Sequence, residues 1–518
     1  MRCLGQSALR TVSSTAAGGR ACSKLASISS VAMICALVVA GCSASGPTKI
    51  TSNFVPQPHL IDAAGTRSIQ SQNASNKAVV TPLPRGDEAL DVWLSAIASA
   101  EKTIAIKTFI YRPDAVGKVV AAHLFEAADR GVRVRVIVDD LFHFWKGHEL
   151  AFLDDHPGVS VRIFNPLDRN IPPPFNFLLE YDRVNPRMHN KALIADGRVA
   201  ILGGRNVGAE YFRKSRLEYF SDFEVLVQGK AVEPLQHSFD AFWEDEYARD
   251  YRTIKPLRSG QSASLRREAK PGLTPPQPLE AVVERLASFS ADVTTFADTP
   301  RKLKAPASSR EYVAAAGVFG VLSNAQESVL ITSPYFIPER YGTSLLSELA
   351  QRGVRVRVLT NSLGSTNHPS VHAGYVRYRK ELLKAGVEIH EYRHDAAHEV
   401  IETGTRYAPA TTLHSKVILI DGKTTIVGSM NFDPRSVRTN SELMVRLDSK
   451  PLNRWLQSWF EHTMKKAAYS LQLSQQGNVT WIFRGGDMPT SRESEPNHAL
   501  TPAIMALIFG MLPMDSAL

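Results

Sequence analysis

The sequence predicts an α/β protein of two halves related by a pseudo-twofold axis. Each half is expected to hold a mostly parallel or mixed β-sheet flanked by helices, with a functional site at the interface between them. Three observations carry this. The heptapeptide RGVRVRV stands at 130–136 and again at 352–358. The residues before it repeat as well, Ala100–Ile106 (AEKTIAI) answering Ala325–Ile331 (AQESVLI) 225 positions later. Finally, one polar pattern, H-x-K-x4-D-x6-G-[GS]-x-N, occurs once per half, from His189 to Asn206 and from His414 to Asn431.

The chain has 518 residues, 44% hydrophobic and 21% charged, an ordinary balance for a folded protein with room for two or three full cores. All four cysteines lie within the first 42 residues, so the body of the chain offers neither a disulfide framework nor a cysteine metal site. Residues 1–41 carry Arg2, Arg10, Arg20 and Lys24 with no acid, then the apolar run LASISSVAMICALVVAG, then Cys42. This reads as a signal peptide, and VAGC resembles the lipoprotein cleavage site, which makes Cys42 the expected lipidation position. The expected protein is a membrane-anchored lipoprotein of a bacterial cell envelope, facing the periplasm, with residues 42–80 as a polar tether.

From 81 to 270 we expect the first domain. AEKTIAI reads as a helix end feeding a strand, and LFEAADRG as a helix stopped by Gly131. VRVRVIV alternates as a strand, with valines inward and arginines outward, and GVSVRIF (158–164) is another. From 271 to 518 a linker, KPGLTPPQP with one amphipathic helix LEAVVERLASF, leads into a second domain. There LLSELAQRG, stopped by Gly353, VRVRVLT and GVEIHEY (386–392) repeat the order. Strand, helix, strand, twice over, places helices on both faces of a sheet. The last apolar run, LTPAIMALIFGMLPM (500–514), is too short and too interrupted by proline to span a bilayer. Core packing and interfacial contact both remain open for it.

His and Lys at i and i+2 on a strand point to one face. Asp196-Gly197 and Asp421-Gly422 make tight turns, and VAIL or TTIV returns as the partner strand. Small residues then allow close backbone packing before Asn206 and Asn431. The twofold brings two histidines, two lysines and two amides to one point. That set suits a tetrahedral phosphate: Lys191 and Lys416 neutralise charge, Asn206 and Asn431 donate hydrogen bonds, and His189 and His414 act chemically. Asp196 and Asp421 belong to the catalytic motif but read as turn and scaffold residues rather than bases.

These motifs resemble the phospholipase D superfamily over roughly 80–518. RVNPRMHNKALIADGRVAILGGRNVGAEYF, TNSLGSTNHPSVHAGYVRYRKELLKAGVEIHEY and SMNFDPRSVRTNSE are similar to its bacterial cardiolipin synthase branch, and to the C type within it. The resemblance implies a covalent phosphohistidine intermediate with no cofactor or metal. His189 would be the nucleophile and His414 the general acid and then base, the near-symmetry leaving the reverse open. Each imidazole needs an acceptor on its far nitrogen. The candidates are Asp222 in SDFEV, 33 residues after His189, and Glu442 in SELMV, 28 after His414. Asn367 departs from the Asp common in that branch after Ser-Thr, which bears on acceptor choice.

The implied activity is phosphatidyl transfer to a lipid alcohol to form cardiolipin. The expected partners are phosphatidylglycerol, phosphatidylethanolamine as a second substrate, and a membrane surface. The alternatives are a phospholipase D hydrolase, a phosphodiester nuclease and a non-catalytic lipid-binding lipoprotein. The net charge of +9 leaves only about +5 beyond residue 41, little for a nucleic-acid track, so no nucleic-acid partner is expected. His390, His394 and His398 have helical spacing, but they fall on a strand and a loop, which argues against a metal face. Arg435 could meet a headgroup or form a structural ion pair.

Overall fold

The computed structural model describes residues 77–144, 150–154, 156–254, 276–306, 309–396, 410–486 and 488–496. The leader, Cys42, His398 and the 500–514 run lie outside the described residues.

Nine strands build the first half: β1 (Lys77–Leu83), β2 (Thr103–Thr108), β3 (Arg133–Asp139), β4 (Val159–Phe164), β5 (Ala192–Ala195), β6 (Val199–Gly203), β7 (Glu218–Ser221), β8 (Glu224–Gln228) and β9 (Ala248–Asp250). The second half begins with β10 (Phe289–Ala297), β11 (Ser328–Thr332), β12 (Arg355–Asn361), β13 (Glu388–Tyr392) and β14 (Ala410–Leu413). It continues with β15 (Val417–Ile420), β16 (Thr424–Gly428), β17 (Leu443–Asp448), β18 (Ala468–Leu473), β19 (Val479–Phe483) and β20 (Thr490–Arg492).

The two halves share one strand order. The first runs β9-β4-β3-β2-β5-β6-β8-β1 and the second β18-β13-β12-β11-β15-β16-β17-β10, with β19 and β20 added at its edge. Only β2-β3-β4 and β11-β12-β13 pair in parallel; the other ladders of these sheets are antiparallel. The sheet is therefore mixed. Its parallel part is what strand–helix–strand order requires, because such crossovers return the chain in the same direction. The antiparallel part includes the β5–β6 and β15–β16 hairpins. β1 pairs antiparallel with β10 from Lys77↔Asp292 to Val80↔Phe289, which fuses both sheets into one of 18 strands.

Gly131 and Gly353 end their helices at φ 93° and 87°, the left-handed region that a helix stop favours. The helices Ala115–Asp129 and Glu339–Gln351 cover the outer faces of the two sheets. The inner faces share one core, which contains Val80, Val225, Val293 and Val445 and is packed by the helices Glu233–Trp243 and Lys450–Ala467. That inner layer changes the reading of RGVRVRV. Arg133 and Arg355 are exposed, but Arg135 and Arg357 lie under these helices. Arg135 pairs with Asp240 at 2.9 Å and lies over Phe239, and Arg357 reaches Glu461 at 3.2 Å.

Two boundaries move. β1 starts at Lys77, inside the stretch expected to be tether, because β10 and β8 hold it on both edges. The helix of LEAVVERLASF covers only Leu279–Val283, and Leu279 and Val282 pack in the first half's outer core. Phe289 already belongs to β10, so the helix expected in the linker ends early and the first strand of the second half follows soon after it.

Candidate active site

The site forms where strands of one half run beside strands of the other. His189 lies just before β5, and its N–H donates to the Ser441 carbonyl at 3.0 Å; Ser441 N–H donates to the Arg187 carbonyl at 3.0 Å. Across the pseudo-twofold, His414 N–H donates to the Ser221 carbonyl at 2.8 Å, and β7 pairs in parallel with β14. Each histidine backbone is thus held by the residue preceding the other half's carboxylate.

The side chains cross in consequence. His189 Nδ1 lies 3.0 Å from both oxygens of Glu442, and His414 Nδ1 lies 2.5 Å from Asp222 Oδ2. The carboxylate that follows each histidine in sequence therefore serves the other histidine. Both carboxylates are fully buried. Burial pulls them upward, but the facing histidine's hydrogen bond and the neighbouring lysine charge outweigh it and hold both below the usual carboxylate range. With Nδ1 committed in this way, Nε2 is the nitrogen left to act on substrate.

Burial is also the largest influence on the imidazoles, pushing His189 down to about 4 and His414 down to about 3. Both are neutral near pH 7 in the free protein, the state a nucleophile needs. Burial lowers Lys191 to about 7 and Lys416 to about 8. Lys191 Nζ donates to the His189 carbonyl at 2.5 Å and stands over the Phe109 ring; Lys416 Nζ donates to the His414 carbonyl and lies 3.1 Å from its Nδ1.

The small residues after the hairpins are required by space. A Cβ on Gly203 would stand 2.2 Å from the Phe223 carbonyl, and one on Gly428 2.0 Å from that of Leu443. A Cβ on Gly204 would meet Asp222 Oδ1 at 2.1 Å. Its counterpart Ser429 donates to Glu442 Oε2 at 2.5 Å instead.

Asp196 and Asp421 sit in the turns at φ 53° and 51°. Asp196 accepts from the amides of Glu101, Lys102 and Thr103, and Asp421 from those of Gln326, Glu327 and Ser328. They tie each hairpin to the start of the central strand, away from the histidines, so the structure gives them a scaffold position rather than a catalytic one. Asn206 also differs from expectation: its Oδ1 accepts from Ile110 N–H at 3.1 Å, and its Nδ2 donates to the Tyr211 hydroxyl at 2.9 Å. The turn after β2 folds onto this amide and occupies it. Asn431 is freer, with a buried Oδ1 that has no partner among the described residues.

Several site residues escaped the sequence reading. Asn190 and Ser415, between His and Lys, staple the halves: Ser441 Oγ donates to Asn190 Oδ1 at 2.6 Å, and Ser415 Oγ to the Ser221 carbonyl at 2.9 Å. The shared S-[DE] at 221–222 and 441–442 was the available signal. Asp139, ending β3, accepts from Met188 N–H at 3.0 Å; Asn361, ending β12, accepts from Leu413 N–H at 2.9 Å. Each holds the residue before a histidine, and each follows RGVRVRV by the same interval. Aromatic rings complete the walls: Phe109 lies edge-on to His189 at 5.1 Å, Phe220 stacks on His414 at 5.4 Å, and Tyr211 stands at 5.3 Å. No spacing rule marks these rings.

Asn367 is exposed and accepts from the Tyr335 hydroxyl at 3.0 Å, while the Tyr335 ring lies 6.5 Å from that of His414. Arg435 donates to the side chain and carbonyl of Asn185 at 2.8 and 2.7 Å, a bond between the halves rather than a free headgroup contact. His390 sits within β13, 3.2 Å from Ser470 Oγ. Among the described residues, no group of three or more His, Cys, Asp or Glu could hold a metal ion.

Comparison with known proteins agrees with this architecture. The family model "Cardiolipin synthase, PLD-like domain" matches residues 93–243 and 318–464, one segment per half. The chain is 30% identical over 454 residues to cardiolipin synthase C of Escherichia coli, covering 84% of this chain and 95% of that protein. It is 31% identical over 376 residues to cardiolipin synthase A of Pseudomonas syringae, covering 72% of this chain and 65% of that one. Among solved structures, phosphatidylserine synthase of Haemophilus influenzae shares the fold, with a TM-score of 0.54 at 13% identity over 79% of this chain and 92% of that one.

Proposed function

The chain belongs to the phospholipase D-like cardiolipin synthase family, and from that premise we propose that it moves a phosphatidyl group from a donor phospholipid to a headgroup hydroxyl of phosphatidylglycerol, forming cardiolipin and releasing the donor's headgroup alcohol. The observation that carries this reading is the crossed pair, His189 with Glu442 and His414 with Asp222, around two buried lysines.

His189 Nε2 attacks phosphorus as the P–O bond to the donor's headgroup alcohol breaks, and His414 delivers its proton to the departing oxygen. The acceptor hydroxyl then gives its proton to His414 as its oxygen attacks phosphorus and the P–N bond to His189 breaks. His414 must be protonated for the first step, though it is neutral in the free protein. Two ionised carboxylates and two ammonium groups already balance. An incoming phosphodiester anion leaves one negative charge in excess, which raises both imidazole pKa values and draws in a proton. Lys191 and Lys416 stay charged for the same reason and stabilise the oxygens of the transition state. Water competes for the phosphohistidine; a held lipid hydroxyl wins by effective molarity, which reaches about 10⁵–10⁸ M for well-oriented groups.

Phosphatidylethanolamine is the proposed second substrate, as the phosphatidyl donor whose ethanolamine leaves, and Tyr335 with Asn367 lies on the His414 side, where acceptor choice would be made. We further propose that Cys42 is acylated and that the enzyme faces the periplasm. The test uses purified protein in mixed liposomes with isotopically labelled glycerol headgroups. Labelled cardiolipin is expected; phosphatidic acid as dominant product at every lipid ratio would make the chain a hydrolase.

A further inference from the structure

Among the described residues, no helix is long and apolar enough to cross a membrane, yet large apolar side chains stand in water beside the catalytic cleft. The short helix Pro173–Leu179, in the connection that leads to His189, turns Phe175, Leu178 and Leu179 outward, Leu179 at 69% exposure. Phe177 on its other side packs against Phe144, Leu167 and Val184, so the outward face is not a failure to fold. Two residues before Phe144, Phe142 is half-exposed and meets Phe109 at 5.3 Å, which in turn meets His189 at 5.1 Å. These rings form an apolar path from solvent to the proposed nucleophile.

A second projection flanks His414. The loop at 213–217, RKSRL, ends in Leu217 at 77% exposure and runs into β7, whose Phe220 stacks on His414. Lys214 and Arg216 are exposed there and have no ion-pair partner among the described residues. The two projections are tied to one segment. Phe109 contacts Phe142, while Arg112 binds Glu210 at 2.6 Å and its N–H donates to the Val207 carbonyl, just before that loop. His143, next to Phe142, accepts at Nε2 from Tyr111 N–H of the same segment at 3.2 Å.

Leucines projecting beside unpaired cations have the chemistry of an interfacial contact: apolar side chains enter the acyl boundary while Lys and Arg meet lipid phosphates. We propose that the helix Pro173–Leu179 and the loop carrying Lys214, Arg216 and Leu217 form one docking rim by which this protein seats its cleft on an anionic phospholipid bilayer. Phe142 and Phe109 lie behind the rim, where an acyl-linked glycerol must pass to bring its phosphate to His189. This rests on the phosphatidyl-transfer reading for its occupant, but insertion is measurable without turnover.

The experiment places tryptophan in the full chain at Leu179→Trp, Leu217→Trp and, as an exposed control outside the two projections, Met488→Trp, and adds phosphatidylglycerol vesicles containing brominated phosphatidylcholine. Fluorescence from positions 179 and 217 should shift to the blue and be quenched, while position 488 should not respond. Leu178→Ser with Leu179→Ser should lower vesicle partitioning about tenfold per leucine, and Lys214→Ser with Arg216→Ser about fivefold per charge. These variants should keep wild-type turnover of a short-chain monomeric phosphatidylglycerol. No quenching, equal quenching at 488, or vesicle-independent shielding that grows with protein concentration would overturn the rim, the last assigning it to a second copy of the chain. Insertion without any phosphatidyl transfer would instead remove the functional reading and leave the rim standing.

Discussion

The two halves share strand order, hairpin and motif, yet they hold their histidines differently. Glu442 presents both oxygens to His189 at equal distance and takes a further bond from Ser429. Asp222 offers His414 one oxygen, its other accepting from Phe223 N–H, and it packs against Gly204, where no side chain fits. Asn206 is occupied by its own half, whereas Asn431 keeps an unpartnered oxygen. The comparison teaches that duplication supplies two equivalent positions, and that small differences around them suit the two to different steps. Because each carboxylate comes from the opposite half, neither half has a complete site alone.

The largest expected effect comes from the histidines. His189→Ala should abolish phosphoenzyme labelling along with turnover, while His414→Ala should cost about 10²–10⁴-fold, the usual worth of a general acid. Rapid-quench trapping with phosphate-labelled lipid separates the two; normal labelling of the His189→Ala protein would reverse the roles.

Next come the orienting carboxylates, where the crossing itself is at stake. Glu442→Gln should disturb the imidazole ¹⁵N signals of His189 and leave those of His414, with Asp222→Asn doing the opposite, and each should cost about 10²–10³-fold in turnover. Signals that respond within one half would break the crossed assignment.

The small residues should respond unequally. Gly204→Ser forces Asp222 off His414 and should approach the loss seen for Asp222→Asn. Ser429→Gly removes one hydrogen bond to a charged group, worth about 1.5–3 kcal/mol, and should cost about ten- to a hundredfold in kcat. Equal losses at the two positions would argue that the halves are not specialised.

A milder effect concerns pH. Burial leaves Lys191 at about 7 and Lys416 at about 8 in the free protein, so both lose charge as pH rises through that range. A bound phosphodiester anion favours the charged forms and moves their titration higher. The alkaline fall in kcat/KM, set by the free enzyme, should therefore lie below the alkaline fall in kcat; coincident limbs would mean that the lysines do not touch the anion.

The smallest effect expected is at Asn367→Asp. A carboxylate accepting from Tyr335 should change the ratio of products from competing lipid acceptors a few-fold, about 1 kcal/mol or less, with phosphohistidine formation unchanged. An altered labelling rate would place this residue in the first step instead.

Much was legible in the sequence because repetition and periodicity are local. RGVRVRV and the flanking apolar runs marked β2, β3, β11 and β12, and the H-x-K-x4-D pattern marked both hairpins with the turn positions of Asp196 and Asp421. Partnership was not legible. Asp222 and Glu442 stood out as carboxylates at strand starts, but sequence distance suggested the histidine of the same half. Only the parallel run of β7 beside β14, and of Met188 beside Ser441, decides that each serves the other. Similarly, Asn206 read as a free donor until the turn after β2 closed on it, and the arginines of RGVRVRV read as solvent-facing until the inner helices covered one in each copy. Sequence by itself determined which residues exist in duplicate and which way alternate side chains face, since backbone periodicity sets both. Tertiary structure decided which groups meet, because contacts between residues some 190 to 250 positions apart depend on how two sheets join through β1 and β10, and no local rule encodes that joint.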